Sequence, residues 1–238
     1  MKNPPVESRL TEVRRAVLEA RDAAHATQDV TLIAVSKRHS TDAIRAAYAA
    51  GQRDFGESYA QELREKAVAL ADLSDLRWHF VGGIQRNKVK LLSAVHLIHT
   101  IDRAATAEAL MKRRRGDLGD HVAVAEVLVQ VNFDEPQKAG VVRSELDALF
   151  ERLLSLEGLR LRGLMTIPPQ SAPLESRRYF GELASLSDTL RARHGLGAEF
   201  DQLSMGMSGD FQEAIAEGAT LVRVGTAIFG PRPTVLKT

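Results

Sequence analysis

The chain has 238 residues, 44% of them hydrophobic and 26% charged, the proportions of an ordinary globular protein. With 32 Lys+Arg against 31 Asp+Glu the formal net charge is +1, so no bulk field draws it to nucleic acid or an anionic membrane, and any anion site has to be local. The absence of cysteine excludes disulfides, thiolate nucleophiles and Cys-ligated metals, and no stretch approaches the roughly 20 apolar residues of a membrane span.

The opening segment MKNPPVESRLTEVRRAVLEA carries charge every few residues and lacks an apolar signal core, which predicts a cytoplasmic protein beginning with an amphipathic helix from about Val6 to Ala26. The β-rich run TLIAV (Thr31–Val35) follows, then a helical stretch with Ser40 or Thr41 as N-cap and Gly51 as its stop. Further strand-like runs are Arg53–Gly56, Arg77–Gly82, Val95–Thr100, Val122–Asn132, Leu159–Met165, Phe200–Met205 and Thr220–Gly225. Segments with helical spacing separate them, such as SELDALFERLLSL and the stretch from Leu174 to His194. Strands that alternate with helices pair in parallel through crossovers. Eight strands at regular spacing, with no midpoint break, favour a closed (β/α)8 barrel of the α/β class over an open doubly wound sheet. The expectation is one domain over residues 1–238, with the extra N-terminal helix covering the bottom or side of the barrel.

In such a barrel the site lies at the C-terminal ends of the strands. Lys37 follows TLIAV almost directly and projects toward the mouth, where desolvation and the neighbouring Arg38 would lower its pKa and make it a Schiff-base nucleophile. Position alone also fits a solvated loop lysine, the commoner situation. After the seventh strand, Ser208 and Gly209 open the helical run DFQEAIAEG, and Gly225-Thr226 do the same after the eighth. Both ends gather N–H groups and hydroxyls where these barrels bind phosphate; simple capping, with Ser208 as N-cap, is the plainer alternative. His96 and His99, at odd spacing, face opposite sides of a strand and cannot share a metal, while His79 reads as a satisfied core histidine. The run KRRRGD (Lys112–Asp117) reads as a solvated helix end. With no HExxH, carboxylate cluster or Walker motif, no metal is expected.

Six motifs then stand in the order of the inferred strands: AVSK ending at Lys37, FGESYAQE (55–62), WHFVGGIQRNK (78–88), KAG (138–140), SMGMSGD (204–210) and VRVGTAIFG (222–230). Together they resemble the pyridoxal phosphate homeostasis proteins. The resemblance implies the barrel of fold-type III pyridoxal phosphate enzymes, similar to the N-terminal domain of bacterial alanine racemase, with pyridoxal 5′-phosphate (PLP) as cofactor. Carried over motif by motif, it makes Lys37 the Schiff-base lysine, has Ser208, Gly225 and Thr226 hold the phosphate, and sets Arg223 facing the pyridine nitrogen. Lys138 matches a family lysine in the loop after the fifth strand, near the mouth, while Asn87 and Lys88 complete a signature with no implied role. Ser58 stands where the family usually has asparagine, and is left out of the expected site.

The implied role is vitamin B6 homeostasis: a cytoplasmic monomer or weak dimer that binds, stores and delivers PLP, with PLP-dependent apoenzymes as partners, and no catalytic turnover. The alternative is a PLP-dependent amino-acid racemase. Alanine racemase, as the resemblance implies, adds a C-terminal β-domain and a second base across a dimer, whereas this chain stops at Thr238, within a few residues of the eighth β/α unit. A barrel acting on phosphorylated sugars would bind phosphate yet need no amine at Lys37.

Overall fold

The structure, a computed structural model, describes residues 4–93, 95–118, 124–133, 138–169 and 173–231. Eight strands are parallel throughout: β1 (Thr31–Val35), β2 (Asp54–Glu57), β3 (Arg77–Phe80), β4 (Val95–Ile101), β5 (Ala125–Asn132), β6 (Leu159–Thr166), β7 (Gln202–Ser204) and β8 (Leu221–Val224). Each pairs with the next, β4 joins β5, and β8 returns to β1 from Thr31 against Leu221 to Ala34 against Val224, so the sheet closes on itself. A two-residue strand, Val141–Val142, adds to β5 outside the ring.

The pleat explains why these runs close. Along β1, Ile33 and Val35 turn inward, where they meet Leu97, Leu128, Met165 and Leu221. Leu32 and Ala34 turn outward, into the larger core shared with Phe55, Phe80, Ile98, Val127 and the helices. Strands buried on both faces read as near-continuous apolar runs, which is how TLIAV looks in the sequence, while AEVLVQVN interrupts its run with Glu126, Gln130 and Asn132.

Boundaries shift by a residue or three. The β2 strand runs on to Glu57, and residues 122 and 123 lie outside those described. The β7 strand is shorter than its apolar pattern, because the Phe200 carbonyl accepts from the Arg191 guanidinium (2.5 and 3.1 Å) and the Phe200 N–H closes a turn onto Gly197.

The helices are α1 (Val6–Ala23), α2 (Thr41–Ala49), α3 (Ala60–Ala69), α4 (Ala104–Leu118), α5 (Leu146–Leu154), α6 (Pro173–His194), α7 (Phe211–Ala216) and α8 (Thr226–Phe229). Ser40 is the N-cap of α2, accepting from the Ala43 N–H at 3.3 Å, and Gly51 follows its end. The α1 helix stops before Ala26 because His25 takes a left-handed conformation (φ 51°). Its buried residues Leu10, Val13 and Val17 face α2, α7 and α8, and Arg9 Nε donates to the Ile228 carbonyl at 2.6 Å. The extra helix therefore covers the side of the barrel, beside the four-residue α8.

The KRRRGD run lies within α4, and it is not uniformly solvated. Arg114 donates to the carbonyls of Val95 (3.1 Å) and Val124 at the N-terminal ends of β4 and β5, and burial lowers its pKa. The guanidinium satisfies strand-end carbonyls that would otherwise face apolar surroundings. Among the described residues no helix is long and apolar enough to cross a membrane.

Candidate functional site at the barrel mouth

The inward alternation of Ile33 and Val35 continues to Lys37, in the turn after β1. That turn is pinned from the helix side. The Ser36 N–H donates to the Gly56 carbonyl (2.9 Å), the Ser36 hydroxyl to Glu57 Oε1 (2.7 Å), and Lys66 Nζ to the Ser36 carbonyl (2.8 Å). Lys66 also reaches Glu57 and Glu62, each at 2.7 Å; burial pushes the Glu57 carboxyl up while Lys66 opposes it. Arg38, at φ 65°, turns away. Its N–H donates to Glu62 Oε1 (2.6 Å) and its guanidinium lies over the Tyr59 ring, outside the cavity lining.

A cavity of about 280 Å³ opens at this end, lined by Val35, Lys37, His39, Ser58, Val81, Ile167, Met207, Ser208, Gly209, Arg223, Gly225 and Thr226. All five residues the sequence singles out, Lys37, Ser208, Arg223, Gly225 and Thr226, meet there. Arg223 is buried (4% exposed), Lys37 is half-buried, and Ser208 and Thr226 are exposed at the rim. Burial pulls the Arg223 pKa down to about 10, which leaves it a cation at neutral pH. Its Nη1 donates to Ser204 Oγ (2.6 Å) and its Nη2 to the Thr166 carbonyl (2.9 Å). The Gly225 carbonyl accepts from the N–H groups of Ile228 and Phe229, starting α8 beside the cavity.

Ser208 and Gly209 are placed differently from the expectation. They lie in a turn ahead of α7, which begins at Phe211 with Asp210 in the N-cap position. The Asp210 carboxylate accepts from the Met207 N–H (2.6 Å), which closes the turn and leads the Ser208–Gly209 segment along the cavity rim. Ser208 is thus a cavity residue and not a helix cap.

Lys138 lies outside the lining but near it: its Nζ donates to the Pro168 carbonyl (3.1 Å), next to Ile167. Asn87 and Lys88 are exposed on the 3-10 turn Arg86–Leu91 that joins β3 to β4, away from the cavity. His79 is a buried core histidine between Asp54 and His99, each at 3.0 Å. His99 is buried and His96 exposed, and both rings sit edge-on to His79.

The expected site omits His39, Ser58 and Val81; Ser58 continues the inward alternation of Asp54 and Gly56, and Val81 that of His79, while His39 reaches the wall through the turn at Arg38. For Ser58 and Val81 that period was the available signal. Ser58 reaches the wall because Gly82 has no side chain; a Cβ there would sit 1.9 Å from the Ser58 carbonyl oxygen.

Comparison with known proteins agrees with this fold. The family model of the alanine racemase N-terminal domain matches residues 9–233. A pyridoxal phosphate homeostasis protein of Vibrio alginolyticus is 44% identical over 212 residues, covering 86% of this chain and 88% of its own length. The structure of PipY from Synechococcus elongatus PCC7942 with PLP bound is 37% identical with a TM-score of 0.82, covering 94% of this chain and 100% of that one. Alanine racemase from Corynebacterium glutamicum shares the fold at 18% identity and a TM-score of 0.65, over 97% of this chain and 63% of its own. On sequence and fold together, the chain belongs to the pyridoxal phosphate homeostasis protein family, one branch of the proteins built on the alanine racemase N-terminal barrel.

Proposed function

We propose that this protein binds PLP at the barrel mouth and serves vitamin B6 homeostasis as a cytoplasmic carrier that supplies PLP-dependent apoenzymes, as a monomer or weak dimer. One observation carries the reading. A single cavity holds a primary amine, a hydroxyl-rich rim of two turns and a buried guanidinium, the groups that an aldehyde, a phosphate and a pyridine nitrogen call for. When bound, PLP supplies a reactive aldehyde and an electron-withdrawing ring.

Lys37 presents the amine to the aldehyde from the end of β1. Ser208, Gly225 and Thr226 face the phosphate, with hydroxyls and N–H groups as donors. Arg223 can only donate, so it offers the ring nitrogen a hydrogen bond without accepting its proton. A ring nitrogen held unprotonated makes a weaker electron sink, which suits storage. Racemisation asks for an acid and a base on opposite faces of the reacting carbon. Of the cavity side chains, Lys37 and His39 both leave the same strand end, on one wall. The exposed rim at Ser208 and Thr226 leaves the phosphate end open to the outside, as delivery to another protein requires.

Purified protein is expected to be yellow, and borohydride to fix the label on the peptide containing Lys37. Lys37→Ala should lose the internal imine band. Label mapping chiefly to Lys138 or Lys88 would remove Lys37 from its role, and no band at all would favour the phosphorylated-sugar barrel.

A further inference from the structure

Four polar side chains that the proposed function does not use join Arg223 in one hydrogen-bonded series through the barrel interior. Arg223 Nη1 on β8 donates to Ser204 Oγ on β7 (2.6 Å). Ser204 Oγ lies 2.8 Å from His99 Nδ1 on β4, and His99 Nε2 lies 3.0 Å from His79 Nδ1 on β3. His79 Nε2 then meets Asp54 Oδ1 on β2 at 3.0 Å, and Arg77 grips the same carboxylate through Nε (2.7 Å) and Nη2 (2.6 Å). Ser204, His99, His79 and Asp54 are 0%, 0%, 2% and 7% exposed.

Their chemistry sets the direction of every link. A carboxylate only accepts, so His79 carries its hydrogen on Nε2 and, as a neutral ring, accepts at Nδ1. His99 must then donate from Nε2 and accept at Nδ1, so the Ser204 hydroxyl donates to His99. The lone pairs of Ser204 face Arg223, which can only donate. Burial keeps both imidazoles in the neutral form: it lowers the pKa of each, outweighing Asp54 at His79, and at His99 a proton would also be opposed by one on His79 and by the Arg223 charge. Donors thus run one way, from the cation at the cavity to the carboxylate near the opposite end of the barrel. A reversed link would set two donors or two acceptors face to face, a costly fault in a dry interior.

We propose that Ser204, His99, His79 and Asp54 are positioning residues that lock the Arg223 guanidinium, together with the Thr166 carbonyl, so that its remaining N–H groups face a ring nitrogen in the cavity. The series is then a specificity device: it selects a heteroaromatic ligand whose nitrogen accepts a hydrogen bond, independently of the aldehyde and phosphate contacts. This rests on the reading of Arg223 as the partner of the PLP ring nitrogen.

Two measurements test it. Long-range 1H–15N correlation spectra of the labelled wild-type protein at pH 7 should show His79 and His99 both as neutral Nε2–H tautomers. Either ring as the Nδ1–H tautomer or as imidazolium overturns the directed series. In the second, binding of PLP is compared with that of its 1-deaza analogue, in which C–H replaces the ring nitrogen. Ser204→Ala and His99→Leu should each weaken PLP about tenfold, the scale of one charge-assisted hydrogen bond, and change the analogue less than about twofold. Equal losses for both ligands, or no loss for either, would make the series mere packing and overturn the proposal. Arg223→Met serves as the control. If it too fails to discriminate between the ligands, the ring-nitrogen assignment falls and the proposal with it. If it discriminates while Ser204→Ala and His99→Leu do not, only the relay falls. Should a variant not fold, the wild-type tautomer pattern decides.

Discussion

At the scale of single residues, the cavity divides its labour by depth. The buried Arg223 contributes a charge shielded from water, whereas Ser208 and Thr226 at the rim contribute donors that water can replace. A donor aimed at an anion is still worth about 1.5–3 kcal/mol. Ser208→Ala combined with Thr226→Ala is therefore expected to weaken PLP binding by about an order of magnitude or more, as fluorescence titration would show. Unphosphorylated pyridoxal should respond much less; equal losses for both would mean that these hydroxyls serve the fold or the aldehyde. Lys37, Ser208, Gly225 and Thr226 were legible as cavity residues because they lie just past strand ends and match family motifs, whereas Arg223, within β8, was legible through its motif alone. Ser58 was passed over because its identity departs from the family asparagine, although the alternation from Asp54 points it inward. The contact of His99 with Ser204 was not legible, since it joins residues 105 apart that only the curvature of the closed barrel brings together.

At the scale of elements, strand order and helix positions followed from hydrophobic period, while strand ends did not. The Arg191 guanidinium that delays the start of β7 and the left-handed His25 that ends α1 act through backbone geometry that an apolar pattern does not encode. The placement of α1 was likewise open between bottom and side, and a buried stripe with an arginine reaching the Ile228 carbonyl decides it. Leu10 is fully buried at the middle of that contact. Leu10→Ala should cost about 2–5 kcal/mol of stability, the usual range for a buried leucine truncated to alanine. Urea denaturation would read this directly, and a cost under about 0.5 kcal/mol would mean that α1 lies only loosely on the barrel.

For the molecule as a whole, the polar series through the interior makes stability depend on acid. His79 and His99 are buried with their pKa values below the ordinary imidazole value of 6.5, so below that pH the unfolded chain binds protons that the folded chain refuses. Stability is complete above that value and falls as pH drops through it. Burial works against the Asp54 carboxylate, but Arg77 and His79 outweigh it and hold its pKa well below the ordinary 3.8, which adds a second loss in stronger acid. Denaturant midpoints measured from pH 7.5 down to 5 should decline, and His99→Leu should flatten the decline. A midpoint independent of pH over that window would mean that the two rings take up protons in the folded protein as they do in the unfolded chain.

The bond between Arg9 and the Ile228 carbonyl spans 219 residues, and it has a consequence in time. On the ribosome α1 emerges well before α7 and α8, the elements that with α2 it covers. Until those two emerge, its apolar stripe of Leu10, Val13 and Val17 lacks most of its final partners. The β1–β8 seam that closes the barrel waits for the same event. Contacts of such long separation make folding slow, because the loop they close must be ordered before they repay it. Arg223, Gly225 and Thr226 lie on that last segment and Lys37 on an early one, so the cavity is assembled only when the two ends of the barrel meet. A nascent chain lacking its final strand presents the lysine but neither the guanidinium nor the Gly225-Thr226 turn, so on the proposed site assignment cofactor capture has to follow ring closure.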